Sequence, residues 1–234
     1  MAPILVGCEE SQIVTKEIRK LGLIAFSCDL KPCSGSHPEW HIQGDVFNAI
    51  QGGLLRLQTG ELIHISEWDT GIFYPDCTYL TCSAEWAYKN GPYHQKVKSN
   101  TLVGEERKIA RENAIEFVKR LWDCGIKKVS IENPVGVLGT RWKKYSQIIQ
   151  PYEFGDDASK KTCLWLKNLP NLIPTEYIEP RYVNGKPRWS NQTDSGQNKL
   201  TPGENRAELR SKTYPGIARA KAKQWFGPGT HIIQ

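Results

Sequence analysis

No run of about 18 apolar residues occurs in the 234-residue chain, which excludes a membrane-spanning helix. The opening residues Met1-Ala2-Pro3-Ile4-Leu5-Val6 lack the basic region and the longer apolar stretch of a secretory signal. They read as a strand that starts the fold at once, and a cytoplasmic setting is the expectation. Internal repeats are absent as well. Seven cysteines, an odd number without a secretory signal, point to reduced thiols rather than a disulfide framework. Cys28, Cys33, His37 and His41 have the spacing C-x4-C-x3-H-x3-H. Their middle gap is far shorter than the roughly 12 residues that separate ligand pairs in a zinc finger, so no metal is assigned there.

What is present is an ordinary globular composition, 39% hydrophobic and 24% charged, in a chain long enough to bury a substantial core. The net charge of +6 is unevenly spread. Between Pro180 and Phe226, ten basic residues (Arg181, Lys186, Arg188, Lys199, Arg206, Arg210, Lys212, Arg219, Lys221 and Lys223) face only Asp194, Glu204 and Glu208. That segment carries +7 and the remainder sums to about −1. Such a footprint suits phosphates; the plainer reading is a solvated face.

The first half has a β-α-β rhythm. Pro3 to Gly7 reads as a buried strand, Ser11 to Leu21 as a helix ended by Gly22, and Leu23 to Ser27 as a second strand closed by Cys28-Asp29. This predicts a parallel sheet with helices on its faces. Val46 to Leu57 predicts a helix, weakened by Gly52-Gly53. Glu61 to Ile65 and Trp68 to Tyr74 predict strands. Residues 83–103 form a long polar and aromatic loop, and loops of that length are commonly functional or disordered. Glu105 to Trp122 predicts the strongest helix, with Ala110, Ala114, Phe117, Val118 and Leu121 on one face. Lys127 to Ile131 and Cys163 to Leu166 predict further strands, residues 170–205 read as loop, and a last helix runs from Pro215 or Gly216 to Trp225.

In an open α/β sheet, ligands bind outside the carboxyl ends of the strands. Here those ends carry Glu9 and Glu10, Asp29, Cys77, and Glu132-Asn133. Asp29 suits the ribose hydroxyls of a nucleoside-type cofactor, or is a turn acid. Asp45 suits an adenine amino group, or caps the helix that follows. The turn Gly7-Cys8-Glu9-Glu10-Ser11 has one glycine, a poor phosphate cradle, which disfavours a dinucleotide but not a cofactor without phosphates. Cys77 ends its strand as a buried structural thiol, a metal ligand or a nucleophile. With Glu132 it would be equipped for covalent activation of a pyrimidine. The thiolate adds at ring carbon 6 while an acid, kept protonated by apolar surroundings, engages the ring nitrogen.

The series Gly7-Cys8-Glu9-Glu10-Ser11, Asp29-Leu30, Gly44-Asp45-Val46, Pro75-Asp76-Cys77 and Glu132-Asn133-Pro134 resembles the cytosine-C5 DNA methyltransferases. More closely, the chain is similar to short phage- and prophage-borne proteins of that kind. The segments 132–136, 147–152, 160–167 and 210–218 share in the likeness, which spans nearly the whole chain. The resemblance implies an α/β, Rossmann-like S-adenosylmethionine-dependent methyltransferase fold with a mostly parallel sheet. It implies a catalytic region over residues 1–167, a reduced, basic recognition segment over 168–212, and a C-terminal helix over 213–234 packed back on the first. Carried over, Cys77 is the nucleophile, Glu132 the acid, and Asn133 the brace of the cysteine loop. Gly7, Cys8, Glu9, Glu10, Asp29, Leu30, Asp45, Val46 and Pro75 form the S-adenosylmethionine pocket. Lys160, Lys161, Arg181, Arg188, Arg206, Arg210 and Lys212 meet DNA. No metal is implied.

Three departures from the larger family stand out. Asp76 replaces a proline before the cysteine, and a carboxylate there disfavours the thiolate unless it points away or binds something. Lys160-Lys161 is followed by Thr162-Cys163, so an arginine of the usual pattern is missing. Residues 168–212 leave no room for a full target-recognition domain. Two alternatives accompany methylation of cytosine in DNA. One is cytosine-C5 modification of a free nucleotide, or with a different one-carbon donor; the other is a non-catalytic DNA-binding protein of the same fold.

Overall fold

The computed structural model describes residues 2–94, 97, 100–200 and 212–228, so Arg206 and Arg210 lie outside the described residues. A seven-stranded sheet organises the chain. Its strands are β1 (Ile4–Gly7), β2 (Ala25–Asp29), β3 (His41–Gln43), β6 (Thr70–Phe73), β7 (Lys128–Pro134), β8 (Gln147–Ile149) and β9 (Thr162–Lys167). The order across the sheet is β3-β2-β1-β6-β7-β9-β8, and only β9 runs antiparallel to its neighbours. Counted within this sheet, the order is that of a doubly wound α/β protein with one reversed strand slotted in near an edge. The winding reverses between β1 and β6. A crevice therefore opens where their carboxyl ends part.

Both faces of the sheet are covered, which explains why the central strands are apolar without alternation. Ile4, Val6, Ile72 and Leu164 meet α1 (Ile13–Arg19) and α5 (Pro215–Phe226) through Val14, Ile18, Ile217 and Trp225. Leu5, Phe73, Val129, Ile131 and Trp165 meet α2 (Val46–Gln51) and α3 (Gly104–Trp122) through Val46, Ala49, Ile115, Val118 and Leu121. A helical turn, α4 (Leu138–Arg141), follows β7.

The structure departs from the sequence reading in several places. The helix predicted to reach Leu57 ends at Gln51, because Gly52 and Gly53 both take positive φ (71° and 76°) and turn the chain back. Residues beyond them pair as the hairpin of β4 (Gly53–Arg56) and β5 (Leu62–Ile65), outside the main sheet. The zinc-like segment supplies β3 instead. There His41 is buried, with Nε2 against the Lys31 carbonyl at 2.9 Å and Nδ1 against Ser27 Oγ at 2.8 Å. Residues 181–188, read as loop, contain the hairpin of β10 (Arg181–Val183) and β11 (Lys186–Arg188). The buried stripe of α3 runs through Arg107, Arg111, Ile115 and Val118 rather than through its alanines. Its first half lies under the loop that follows Cys77, and arginines there find carbonyls and rings to bind.

Candidate functional site

Parallel pairing of β6 with β7 aligns Phe73 with Ile131, so the next residues outward are Tyr74 beside Glu132 and Pro75 beside Asn133. The ends of β1, β6 and β7 open onto one cleft of about 830 Å³. Cys8, Glu9, Glu10 and Ser11 line it from the first turn, Pro75, Asp76 and Cys77 from the second, and Glu132 and Asn133 from the third. Ser159 to Thr162, parts of 191–200 and 212–214 form the opposite wall. Residues far apart in the chain become one surface here only because three strands end side by side.

The loop carrying Cys77 is held from several directions. Asn133, nearly fully buried, donates from Nδ2 to the Pro75 carbonyl at 2.9 Å. Arg111 donates to the carbonyls of Tyr79 (2.9 Å) and Thr81 (3.2 Å) and pairs with Glu85 at 2.7 Å. The Tyr88 ring covers its guanidinium, 3.5 Å from ring centroid to Cζ. From the other side Val137 N–H donates to the Leu80 carbonyl at 2.8 Å, and Gly136 passes so close that a Cβ there would lie 2.0 Å from that oxygen. Cys77 itself is half-buried. Asp76 is exposed and turns its Oδ1 to the Thr78 amide (2.9 Å) and hydroxyl (2.7 Å), a local turn that occupies this oxygen. Cys82 is exposed at the rim of the cleft.

Beneath the cleft lies a polar cluster that the sequence reading did not contain. Lys221 of α5 is completely buried and places Nζ 2.5 Å from Glu132 Oε2 and 3.0 Å from the Tyr74 hydroxyl. The same ammonium lies 4.7 Å from the Tyr74 ring centroid and 5.9 Å from that of Trp225. Tyr74 is held well above the usual phenol range, by burial first and then by Glu132 and Glu9. The apolar surroundings expected for Glu132 are therefore not there: its neighbour is a buried cation. Lys221, counted in the basic footprint, is withdrawn from any phosphate. Helical phase carried the signal, since Ile217, Lys221 and Trp225 recur every four residues and the outer two are buried.

On the cofactor side the structure sorts the expected residues. Glu9 folds inward, accepting from Val14 N–H (2.6 Å), Thr15 N–H (3.3 Å) and the Thr15 hydroxyl (2.6 Å), which commits both oxygens to the start of α1. Burial pushes its carboxyl up to about 7, against these hydrogen bonds and the Lys221 charge. Cys8 adopts a left-handed φ of 59° in the turn where dinucleotide-binding folds use glycine. Burial, then the charges of Asp29, Cys28, Asp45 and Asp76, hold its thiol far above the usual range. Asp29 accepts from Lys31 N–H at 2.9 Å, and Asp45 is the N-cap of α2, accepting from Phe47 N–H at 2.8 Å. Gly7, Asp29, Leu30, Asp45 and Val46 do not line the cleft wall; Leu30 is exposed and Val46 lies in the core. Among the described residues no His, Cys, Asp and Glu cluster could hold a metal ion.

The basic residues also divide. Lys160, Lys161 and Lys212 line the cleft. Arg181 instead pairs with Asp194 at 2.6 Å and donates to the Gln192 carbonyl, while Arg188 donates to the carbonyls of Asp194 and Pro187. Those two arginines tie the hairpin to its own loop. That loop docks on the sheet's body: Trp189 stacks on Tyr152 with centroids 4.1 Å apart, and Asn191 exchanges two 2.9 Å bonds with Ser159. A scan against protein-family models and a search of curated proteins return no match for this chain, so the geometry and the sequence motifs carry the functional reading.

Proposed function

We propose that the chain transfers a methyl group from S-adenosylmethionine to carbon 5 of cytosine in DNA, by way of a bond between Cys77 Sγ and carbon 6 of the base. The observation that carries this reading is the shared cleft. Neighbouring parallel strands bring a thiol (Cys77) and an acid (Glu132) to one wall, beside the β1–α1 turn at the switch point of the sheet. The mostly parallel seven-stranded sheet is compatible with the Rossmann-like fold that this reading requires.

The residues around the turn fit the cofactor. Glu10 and Ser11 line the cleft at the β1–α1 turn, and the β1–β2 register sets Asp29 beside Cys8; such acceptors suit ribose hydroxyls and a positively charged sulfonium while disfavouring phosphate. When bound, S-adenosylmethionine supplies the electrophilic methyl carbon. The chain's own residues do the rest. Cys77 attacks carbon 6, breaking the carbon 5–carbon 6 π bond and making carbon 5 nucleophilic. Glu132, acting as the carboxylic acid, donates its proton to ring nitrogen 3, where the displaced charge collects, and recovers it when the sulfur leaves. Asn133 fixes the Cys77 loop through Pro75. After methylation, water takes the proton from carbon 5, and the electron pair left behind re-forms the carbon 5–carbon 6 double bond as the Cys77 sulfur departs as thiolate. Because a stacked base cannot reach this cleft, the target is flipped out or single-stranded, and Lys160, Lys161 and Lys212 meet its phosphates.

The test is Cys77→Ser, assayed for transfer of labelled methyl groups to single- and double-stranded DNA and, by calorimetry, for cofactor binding. Transfer is expected to disappear while binding persists. Retained transfer overturns the covalent route, and lack of transfer by the unaltered protein overturns the reading itself.

A further inference from the structure

We propose that Lys221 is a positioning residue for the acid of this site: it locks Glu132 Oε2 and leaves Oε1 as the oxygen presented to the ligand. The proposal deepens the reading above and rests on it for what Glu132 then contacts. A side chain with 0% exposure would ordinarily not be lysine, because a buried ammonium loses its hydration and must find compensating partners. Lys221 finds them at the floor of the cleft, not at the surface. Its Nζ reaches Glu132 at 2.5 Å and the Tyr74 hydroxyl at 3.0 Å. Arg219 and Lys223, on the same helix, are exposed.

The titratable groups facing this ammonium come from three neighbouring strand ends. Glu9 follows β1, Tyr74 follows β6, Glu132 lies on β7 and Lys221 lies on α5. The cluster therefore connects the turn expected to hold the cofactor with the strand that carries the acid. Burying an ion pair is weak evidence for stability, because apolar residues of similar size are often as stable or better. A pair kept directly under a cleft is better explained by what it does to the group facing the ligand. Fixing one carboxylate oxygen removes the freedom of Glu132 to rotate about its last bond, so the remaining oxygen meets the base in one orientation.

Four variants test this: Lys221→Met, Glu132→Gln, the two combined, and Lys223→Met as a surface control. Thermal unfolding needs no substrate. Lys221→Met is expected to lower Tm by roughly 6 °C or more, since it strands a buried carboxyl, and the double variant to recover at least about half of that loss. Additive losses overturn the pair. Steady-state transfer then separates positioning from mere structure. Lys221→Met is expected to lower kcat about 100-fold with KM changed less than about threefold, and to alter the shape of the pH profile; Lys223→Met should do neither. Coupled unfolding with an unchanged kcat and pH profile overturns the positioning role. A wild-type protein that methylates no substrate defeats the functional reading on its own assay, whereas the unfolding cycle still decides the pair.

Discussion

Glu9 gives the sharpest test of the electrostatics beneath the cleft. Its carboxyl titrates at about 7 in the folded chain, against an ordinary value of 4.5, because it is only 4% exposed and three donors from α1 do not fully replace water. Between those two values the folded chain keeps a proton that the unfolded chain has released. Stability must therefore fall as pH rises through this window and level off above it. At roughly 1.4 kcal/mol per pH unit, the full loss is about 3 kcal/mol. Glu9→Gln keeps the size of the side chain and an acceptor for the Val14 amide, yet cannot ionise. Urea unfolding of both proteins between pH 4.5 and 8 isolates the effect as a difference of differences. The free-energy gap should shift by about 3 kcal/mol in favour of the variant across the window, and stay flat above it. Parallel profiles would refute the argument, showing that hydrogen bonds from α1 and the charge of Lys221 fully offset burial. A gap moving the other way would show that they dominate outright.

Gly136→Ala should lower Tm by roughly 4–8 °C, because a Cβ 2.0 Å from the Leu80 carbonyl cannot be accommodated without moving backbone. Differential scanning fluorimetry reads the Tm, and methyl-transfer assays should show a larger loss of activity than of stability, since the moving segment carries Cys77. Lys160→Ala and Lys161→Ala should each weaken DNA binding at all sequences. Each should reduce the slope of log affinity against log salt by about 0.9 on duplex, or about 0.7 on single strands. Fluorescence anisotropy across a salt series checks this, and slopes unchanged by both substitutions would remove the cleft lysines from the phosphate contacts.

Much of the framework is legible in the sequence because it depends on local patterns. Apolar runs such as Ile4-Leu5-Val6 and the residues before Tyr74 can only be strands covered on both faces, and Gly22 marks a helix end that the structure keeps, at φ 79°. Polar residues at strand ends could be picked out as a group on the same logic. The helix read through Gly52-Gly53 and the missed hairpin at 181–188 show where pattern fails. Short strands carry too few residues for a period, and glycine permits a turn without announcing it.

The chain's residues by themselves therefore determined the α/β class and the placing of Cys77, Glu132 and Asn133 at strand ends. Tertiary structure alone decided which of those ends meet, since parallel neighbours come from pairing across distant segments. It also reassigned charges that composition had pooled together. Arg181 and Arg188 are spent inside a hairpin and its loop, Asp76 on a turn, and Glu9 on a helix start. Lys221 stands 89 positions from Glu132 in the chain and yet completes its buried partner set. A count of charges registers only their number. Whether each one faces solvent, a ligand or another charge depends on burial, and burial exists only in the folded chain.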